Sequence, residues 1–503
     1  MAISDCEEHG SSAERGRRSL LPTGFLVAFV AVVLRLLNLG GRPLHFSEAL
    51  NVLIATLGIT EIPRAALLNA GTPPFYHLVL SVWMFAFGRS DVAVRCLSVL
   101  VGLTGVAGTY VLARRLFSDR VAYIAVGIGA VSAYGVAFAQ QATAGALLGV
   151  LALCSWTSLV LATDGSRRWW FWYVVATVLM LYTGDLAVVL VVAQWAYVLG
   201  VRRRRGDLRL YLLCQVVIVL AYLPWASLLV SQLVEVEYSL RAPRDALAMA
   251  LRSVGLFAFG SPGFATPGPF AAAPPRPAYE IPILAPVLLM TALGALTAWP
   301  DVKARAAVFF WVIPVVVGLA VRAPAVDTLS LSALVPGFSI LLAAGIGLLA
   351  RRARREFRTG VAATLTLWIA VLNLPSLVGL ASMPSWDGLD WRTAAGVVAK
   401  EATPSDVVVL VPGVNALPFA RYFGGPQARV PFDPAGNDGS SSGERNLPLR
   451  RWAREGRGVW LIRSDYLPQG AVRQIEEILG RTHSRVRVQH YDRLVITWYA
   501  PRP

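Results

Sequence analysis

Lysine is almost missing from this chain of 503 residues; it occurs at positions 303 and 400 only. A buried lysine serving as Schiff base or proton carrier is thereby excluded as the basis of an activity. Charge as a whole is scarce, at 15% of residues against 56% hydrophobic. Soluble chains average about 25% charged residues, so much of this one must lie in lipid. Of the four cysteines, Cys6 precedes the first apolar stretch, and Cys96, Cys154 and Cys214 lie within apolar segments. No pair is placed to staple an external domain, and no CxxC or Cys/His spacing suggests zinc. No GxxxxGK sequence follows a strand-like run, so glycines inside apolar stretches are helix-packing features rather than phosphate loops.

What is abundant is arginine, in short runs between apolar stretches: "RGRR" (15–18), "ARRLFSDR" (113–120), "RRRR" (202–205) and "RRARREFR" (351–358). The net charge of +16 therefore marks cytoplasmic loops under the positive-inside rule, and no nucleic-acid partner is expected. Apolar runs recur at 22–39, 93–113, 120–139, 141–163, 168–182, 184–201, 210–230, 281–299, 306–322, 331–350 and 359–380. The first lacks a small-residue cleavage site and is read as a retained anchor. Eleven spans with the arginine runs inside leave the chain outside after residue 380. On that parity the shorter run 75–88 is a juxtamembrane helix, and its length alone is ambiguous. The expected fold is an all-α polytopic membrane bundle of about 11–13 transmembrane helices with a small C-terminal extracytoplasmic α/β domain.

The corresponding division is a cytoplasmic tail at 1–20, a membrane domain at 21–383 with external loops at about 40–74 and 231–280, and a terminal domain at 384–503. The second loop is rich in Pro, Gly and Ala. In the terminal domain "DVVVLVP" (406–412), "GVWLIR" (458–463) and "RLVITWY" (493–499) are strand-like and alternate with the helical patterns "DWRTAAGVVAKEA" and "AVRQIEEIL". It holds no acid–base cluster of its own and is expected to cap or recognise an acceptor. The aromatic cluster "RRWWFWY" (167–173) is read as an interfacial belt.

The succession "R…LNL…PLHFSEA" (35–49), "GTPPFYH" (71–77), "FGRSDVAVRCLSVLVG" (87–102), "RRLF" (114–117), "AFAQQATAG" (137–145), "LYTGD" (181–185), "VPGFSILLAAGIG" (335–347) and "DWRTAA" (390–395) covers nearly the whole chain. In order and spacing it resembles the polytopic GT-C glycosyltransferases, bacterial proteins similar to protein O-mannosyltransferases and lipid-A aminoarabinose transferases. The resemblance implies transfer of a sugar from a polyprenyl-phosphate donor to an acceptor on the outer face of the cell membrane. The acceptor then needs a carboxylate base, and the phosphate leaving group needs cations or a divalent metal ion.

Several family positions are exchanged. The first-loop Asp-Glu pair reads Ser47-Glu48, Gln-Glu-Ala-Arg reads Gln140-Gln141-Ala142-Thr143, Tyr-Thr-His reads Tyr182-Thr183-Gly184, and the late Arg-Tyr pair is missing from "LSLSALVP" (329–336). Glu48, with Ser47 beside it, is the candidate catalytic acid. His45, His77, Gln140, Gln141, Tyr182 and Asp185 are the candidate substrate-binding residues. For Glu48 a solvated loop or helix-start carboxylate remains the alternative, and a loop-facing acid would add little to packing. His45 and His77 are expected to titrate near neutrality or to be interfacial polar residues. Arg95, inside an apolar run, is read as packing or pairing within the bundle. Two functions stay open: a GT-C glycosyltransferase, and a catalytically degenerate relative that binds a lipid-linked glycan or a partner glycosyltransferase. A transporter is disfavoured because no inverted repeat is seen.

Overall fold

The computed structural model describes residues 22–66, 73–184, 186–201, 205–225, 255, 257–258, 260, 277–321, 331–382, 385, 389–432, 456–465, 467, 469–491 and 493–502. The tail at 1–20, the arginine run 15–18, most of the run 202–205 and most of the loop 231–280 lie outside them. Two compact units emerge: one from the described parts of Met1–Leu39, Leu57–Ser261 and Pro274–Leu380, the other from Gly40–Thr56 and Ala381–Pro503. Of the first loop, Gly40–Thr56 groups with the terminal unit and the described residues from Leu57 onward with the helical one.

The first unit is helical. Five helices are long and apolar enough to cross a membrane, Asp91–Leu116, Gly145–Thr163, Asp207–Trp225, Ser332–Arg352 and Arg355–Ser382. The bent pair Asp119–Val131 and Ala133–Ala139 makes a sixth if taken as one span. The other expected runs coincide with shorter apolar helices, Pro22–Leu36, Arg168–Leu181, Leu186–Val201, Leu284–Ala298 and Arg305–Val316. Phe75–Phe87 has 13 residues, about 20 Å of helix, which is shorter than the roughly 30 Å of a hydrocarbon core.

Local chemistry sets the helix ends. Ser90 and Ser118 cap their helices by accepting from Ala93 N–H at 3.2 Å and Val121 N–H at 3.5 Å. Asp91 and Asp119 follow in the first turns, and Arg114 and Arg115 close the longer helix. Each charge matches its end of the macrodipole. Two helices meet backbone to backbone: a Cβ on Gly294 would collide with the Leu341 carbonyl, and one on Gly345 with that of Met290. Small residues there permit the close approach typical of helices in lipid.

The break at Ser132, bent by 61°, would strand backbone groups that lipid cannot solvate. Four of these groups are met by side chains. Ala133 N–H donates to Asn373 Oδ1 at 2.9 Å, and Gly135 N–H donates to Ser132 Oγ at 3.2 Å. The carbonyls of Ala130 and Gly129 accept from Arg35 at 3.1 and 3.2 Å.

The second unit is built on a five-stranded sheet in the order β2-β1-β3-β5-β4, with β1 Val407–Val411, β2 Ala428–Pro431, β3 Val459–Ser464, β4 His483–Tyr491 and β5 Leu494–Pro501. β1 runs parallel to β2 and β3, while β5 is antiparallel to β3 and β4. Alternation gives the sheet two apolar faces. Val408, Leu410, Trp460 and Ile462 pack under helices Trp391–Glu401 and Ala416–Tyr422. Val407, Val409, Val459 and Leu461 pack under Gln469–Gly480. Helix Phe46–Ala55 lies in this same unit, against Ala416–Tyr422.

Candidate functional site

Glu48 occupies the third position of helix Phe46–Ala55, which starts after the extended N-cap residue His45. Its Oε2 accepts from His45 N–H at 3.3 Å and lies 2.9 Å from His45 Nδ1. The two residues form a capping box, in which the His45 side chain also meets the backbone N–H of Glu48. The Glu48 side chain is fully buried, and that of His45 is 17% exposed. The reading of Glu48 as a loop-facing acid is therefore corrected: it is an enclosed helix-start carboxyl group, held by His45 at the helix N-terminus. Ser47 precedes it, half-buried.

Upstream, Arg42 is 1% exposed and Leu44 fully buried. Leu44 N–H donates to the Tyr422 hydroxyl at 2.7 Å. The segment carrying the acid is thus tied to the sheet-bearing unit by a main-chain hydrogen bond.

The remaining candidates belong to the helical unit. Gln140, 2% exposed, donates from Nε2 to the carbonyls of Leu34 at 2.8 Å and Leu37 at 3.0 Å. Arg95 donates to Leu39 O at 2.9 Å, in keeping with its packing role. These two side chains and Asn38, whose φ of 56° turns the backbone left-handed, shape the exit from the first helix. Gln141 is buried. Tyr182 donates its hydroxyl to Ala221 O at 2.8 Å, and its carbonyl accepts from Phe75 N–H at 2.9 Å, at the start of the helix that carries His77. Burial lowers His77 to about 4, against the opposing effect of a hydrogen bond with the Pro73 backbone. The expectation that His77 titrates near neutrality is corrected: it is a neutral imidazole at pH 7. Asp185 lies outside the described residues.

Arg35 and Arg392 lie in stretches that carry the family resemblance, which gives neither a role, and no sequence pattern marks Arg42 or Tyr422. The one available signal was for Arg35, since a charge inside an apolar run marks a position with a task. No group of three or more His, Cys, Asp or Glu converges among the described residues. Glu48 and His45 supply two donors at most, with Nδ1 already turned to the carboxylate, so this set does not fit a divalent cation.

Residues 71–227 match the family model described as dolichyl-phosphate-mannose-protein mannosyltransferase. No curated protein sequence matches the chain. Among solved structures, ArnT from Cupriavidus metallidurans in the apo state is similar at TM-score 0.60 and 16% identity, covering 97% of this chain and 98% of that one. The same enzyme bound to undecaprenyl phosphate gives 0.57 and 16%, covering 94% and 97%. The archaeal oligosaccharyltransferase AglB from Archaeoglobus fulgidus, in complex with an inhibitory peptide and a dolichol-phosphate, gives 0.59 and 12%, covering 97% and 74%. With its apolar helices and small C-terminal sheet, the chain is a multi-pass membrane protein with the GT-C fold of polytopic glycosyltransferases.

Proposed function

We propose that the protein is an integral membrane glycosyltransferase that moves a sugar from a polyprenyl-phosphate donor to an extracytoplasmic acceptor. The observation that carries this reading is Glu48, an enclosed carboxylate held by His45 at the family's acidic position. Support for the lipid carrier comes from the undecaprenyl phosphate in ArnT and the dolichol-phosphate in AglB. Glu48 takes the proton of the acceptor hydroxyl or amine as that atom attacks the anomeric carbon. The bond from that carbon to the phosphate oxygen breaks, and the polyprenyl phosphate leaves with the electron pair. Arg42, a buried guanidinium six residues before Glu48, is the candidate to neutralise the leaving phosphate. The terminal unit recognises the acceptor, and it lies outside the membrane with the N-terminus in the cytoplasm.

The second reading, a non-catalytic binder of lipid-linked glycans, is favoured by the use of Gln140 and Tyr182 as helix fasteners. Purified protein in lipid nanodiscs, given a panel of radiolabelled polyprenyl-phosphate sugars and envelope extract, separates the two. Label transfer with release of polyprenyl phosphate supports the enzyme. Saturable binding of undecaprenyl phosphate with no transfer from any donor supports the binder.

A further inference from the structure

The run Asp390-Trp391-Arg392-Thr393-Ala394-Ala395 holds no acid–base cluster, yet its residues share one mechanical task. Asp390 caps the helix by accepting from Thr393 N–H at 3.1 Å and from the Thr393 hydroxyl at 2.6 Å. Trp391, Ala394 and Ala395 are buried in the apolar face formed with Val408 and Trp460. The first turn is thereby fixed to the sheet, and Arg392 is left on its outer side. Its Nη1 and Nη2 donate to Gly40 O through long contacts of 3.5 and 3.4 Å, and its guanidinium carbon lies 5.5 Å over the Tyr422 ring. Tyr422 in turn accepts from Leu44 N–H at 2.7 Å. The next amide, of His45, goes to Glu48 Oε2. Two consecutive amides thus face opposite ways, one held by the terminal unit and the other by the acid. Leu44 is fully buried, so loss of the Tyr422 hydroxyl would strand a donor that water does not reach.

We propose that Arg392 and Tyr422 are positioning residues for Glu48: the terminal unit sets where the acid sits by clamping Gly40 and Leu44. Arg392 holds the Tyr422 ring and the loop entry, and the Tyr422 hydroxyl fixes the residue at which the helix N-cap begins. The consequence for rate rests on the reading of Glu48 as the acting base, whereas the clamp itself does not.

Hydrogen exchange by mass spectrometry on the full chain in nanodiscs tests it without a substrate. Tyr422→Phe keeps the ring and removes only the acceptor. It should speed exchange of the peptide covering 43–50 by about tenfold and leave peptides over β1 and β3 unchanged. Arg392→Ala should show a smaller effect at the same peptide, and Arg392→Lys should restore part of it. Exchange over 43–50 equal to wild type in Tyr422→Phe overturns the proposal. So does equal loosening of β1 and β3, which marks Tyr422 as a general packing residue. In a transfer assay Tyr422→Phe should lower kcat with the donor KM unchanged; a raised KM at unchanged kcat contradicts positioning of the acid. Absence of transfer in the wild type removes the enzyme reading and leaves the exchange result standing.

Discussion

One arginine site in each unit shows opposite uses of the residue, and the helical unit also holds the exposed pair Arg114–Asp119 at 2.7 Å. In the helical unit Arg35 is 2% exposed, and its bonds at 3.2, 3.1 and 3.2 Å all go to carbonyls, those of Ala31, Ala130 and Gly129. In the sheet-bearing unit Arg485 and Arg487 are exposed and pair with Glu476 at 3.5 Å and Glu401 at 2.7 Å. The difference follows from the solvent. Where helices break away from water, a stranded carbonyl costs several kcal/mol, and a guanidinium with five donors is an effective cap. Where water competes, an ion pair contributes little. Arg42 breaks the pattern, because it belongs to the sheet-bearing unit and is still 1% exposed. The exception lies on the segment that carries Glu48, where the proposed mechanism assigns a buried cation to the leaving phosphate.

The largest effect expected from this contrast is at Arg35. Arg35→Ala strands the carbonyls at the helix break and leaves a void, and should cost about 3 kcal/mol even after relief of the buried charge. Thermal unfolding in detergent, followed by intrinsic fluorescence, should show a clearly lowered midpoint. A midpoint equal to wild type would mean that the break satisfies itself.

An effect of up to the same size, confined to low pH, is tied to His77. Its folded pKa, lowered to about 4 from 6.5, means that between those values the unfolded chain binds a proton that the folded one refuses. Stability contributed at this position is therefore intact above about pH 6.5 and falls as pH drops toward 4, by up to about 3 kcal/mol. A His77→Gln variant should lose this part of the pH slope, and an unchanged slope would refute the assignment. The smallest effect is at Arg487. Replacing it with Ala should change stability by less than about 1 kcal/mol, and less still in high salt. A loss comparable to that at Arg35 would erase the contrast between the units.

Hydropathy made the bundle legible, since all eleven apolar runs coincide with apolar helices. Short β-rich runs bounded by turn residues made three strands legible, because β1, β3 and β5 are buried along most of their length. β4 escaped. It is an edge strand of sequence "HSRVRVQHY" whose middle residues are exposed, so its alternation of arginine and valine reads as polar. β2 has only four residues. At the site, Glu48 was visible as chemistry, but its burial was not. The segment that carries it is held by Tyr422, 378 residues away from Leu44, and no local pattern encodes a partner at that separation. Gln140 shows the converse. Its family position suggested substrate contact, while its amide fastens the carbonyls of Leu34 and Leu37, a role set by where two helix ends happen to meet.

The central claim is that Glu48 is the base of a sugar transfer. Glu48→Gln keeps the shape of the side chain and its acceptor oxygen toward His45 while removing the charge and the basicity. Single-turnover transfer from the donor that serves the wild type should fall by about 100- to 10,000-fold, with undecaprenyl phosphate binding and the thermal midpoint preserved. Transfer at the wild-type rate in a folded Glu48→Gln protein would contradict the account.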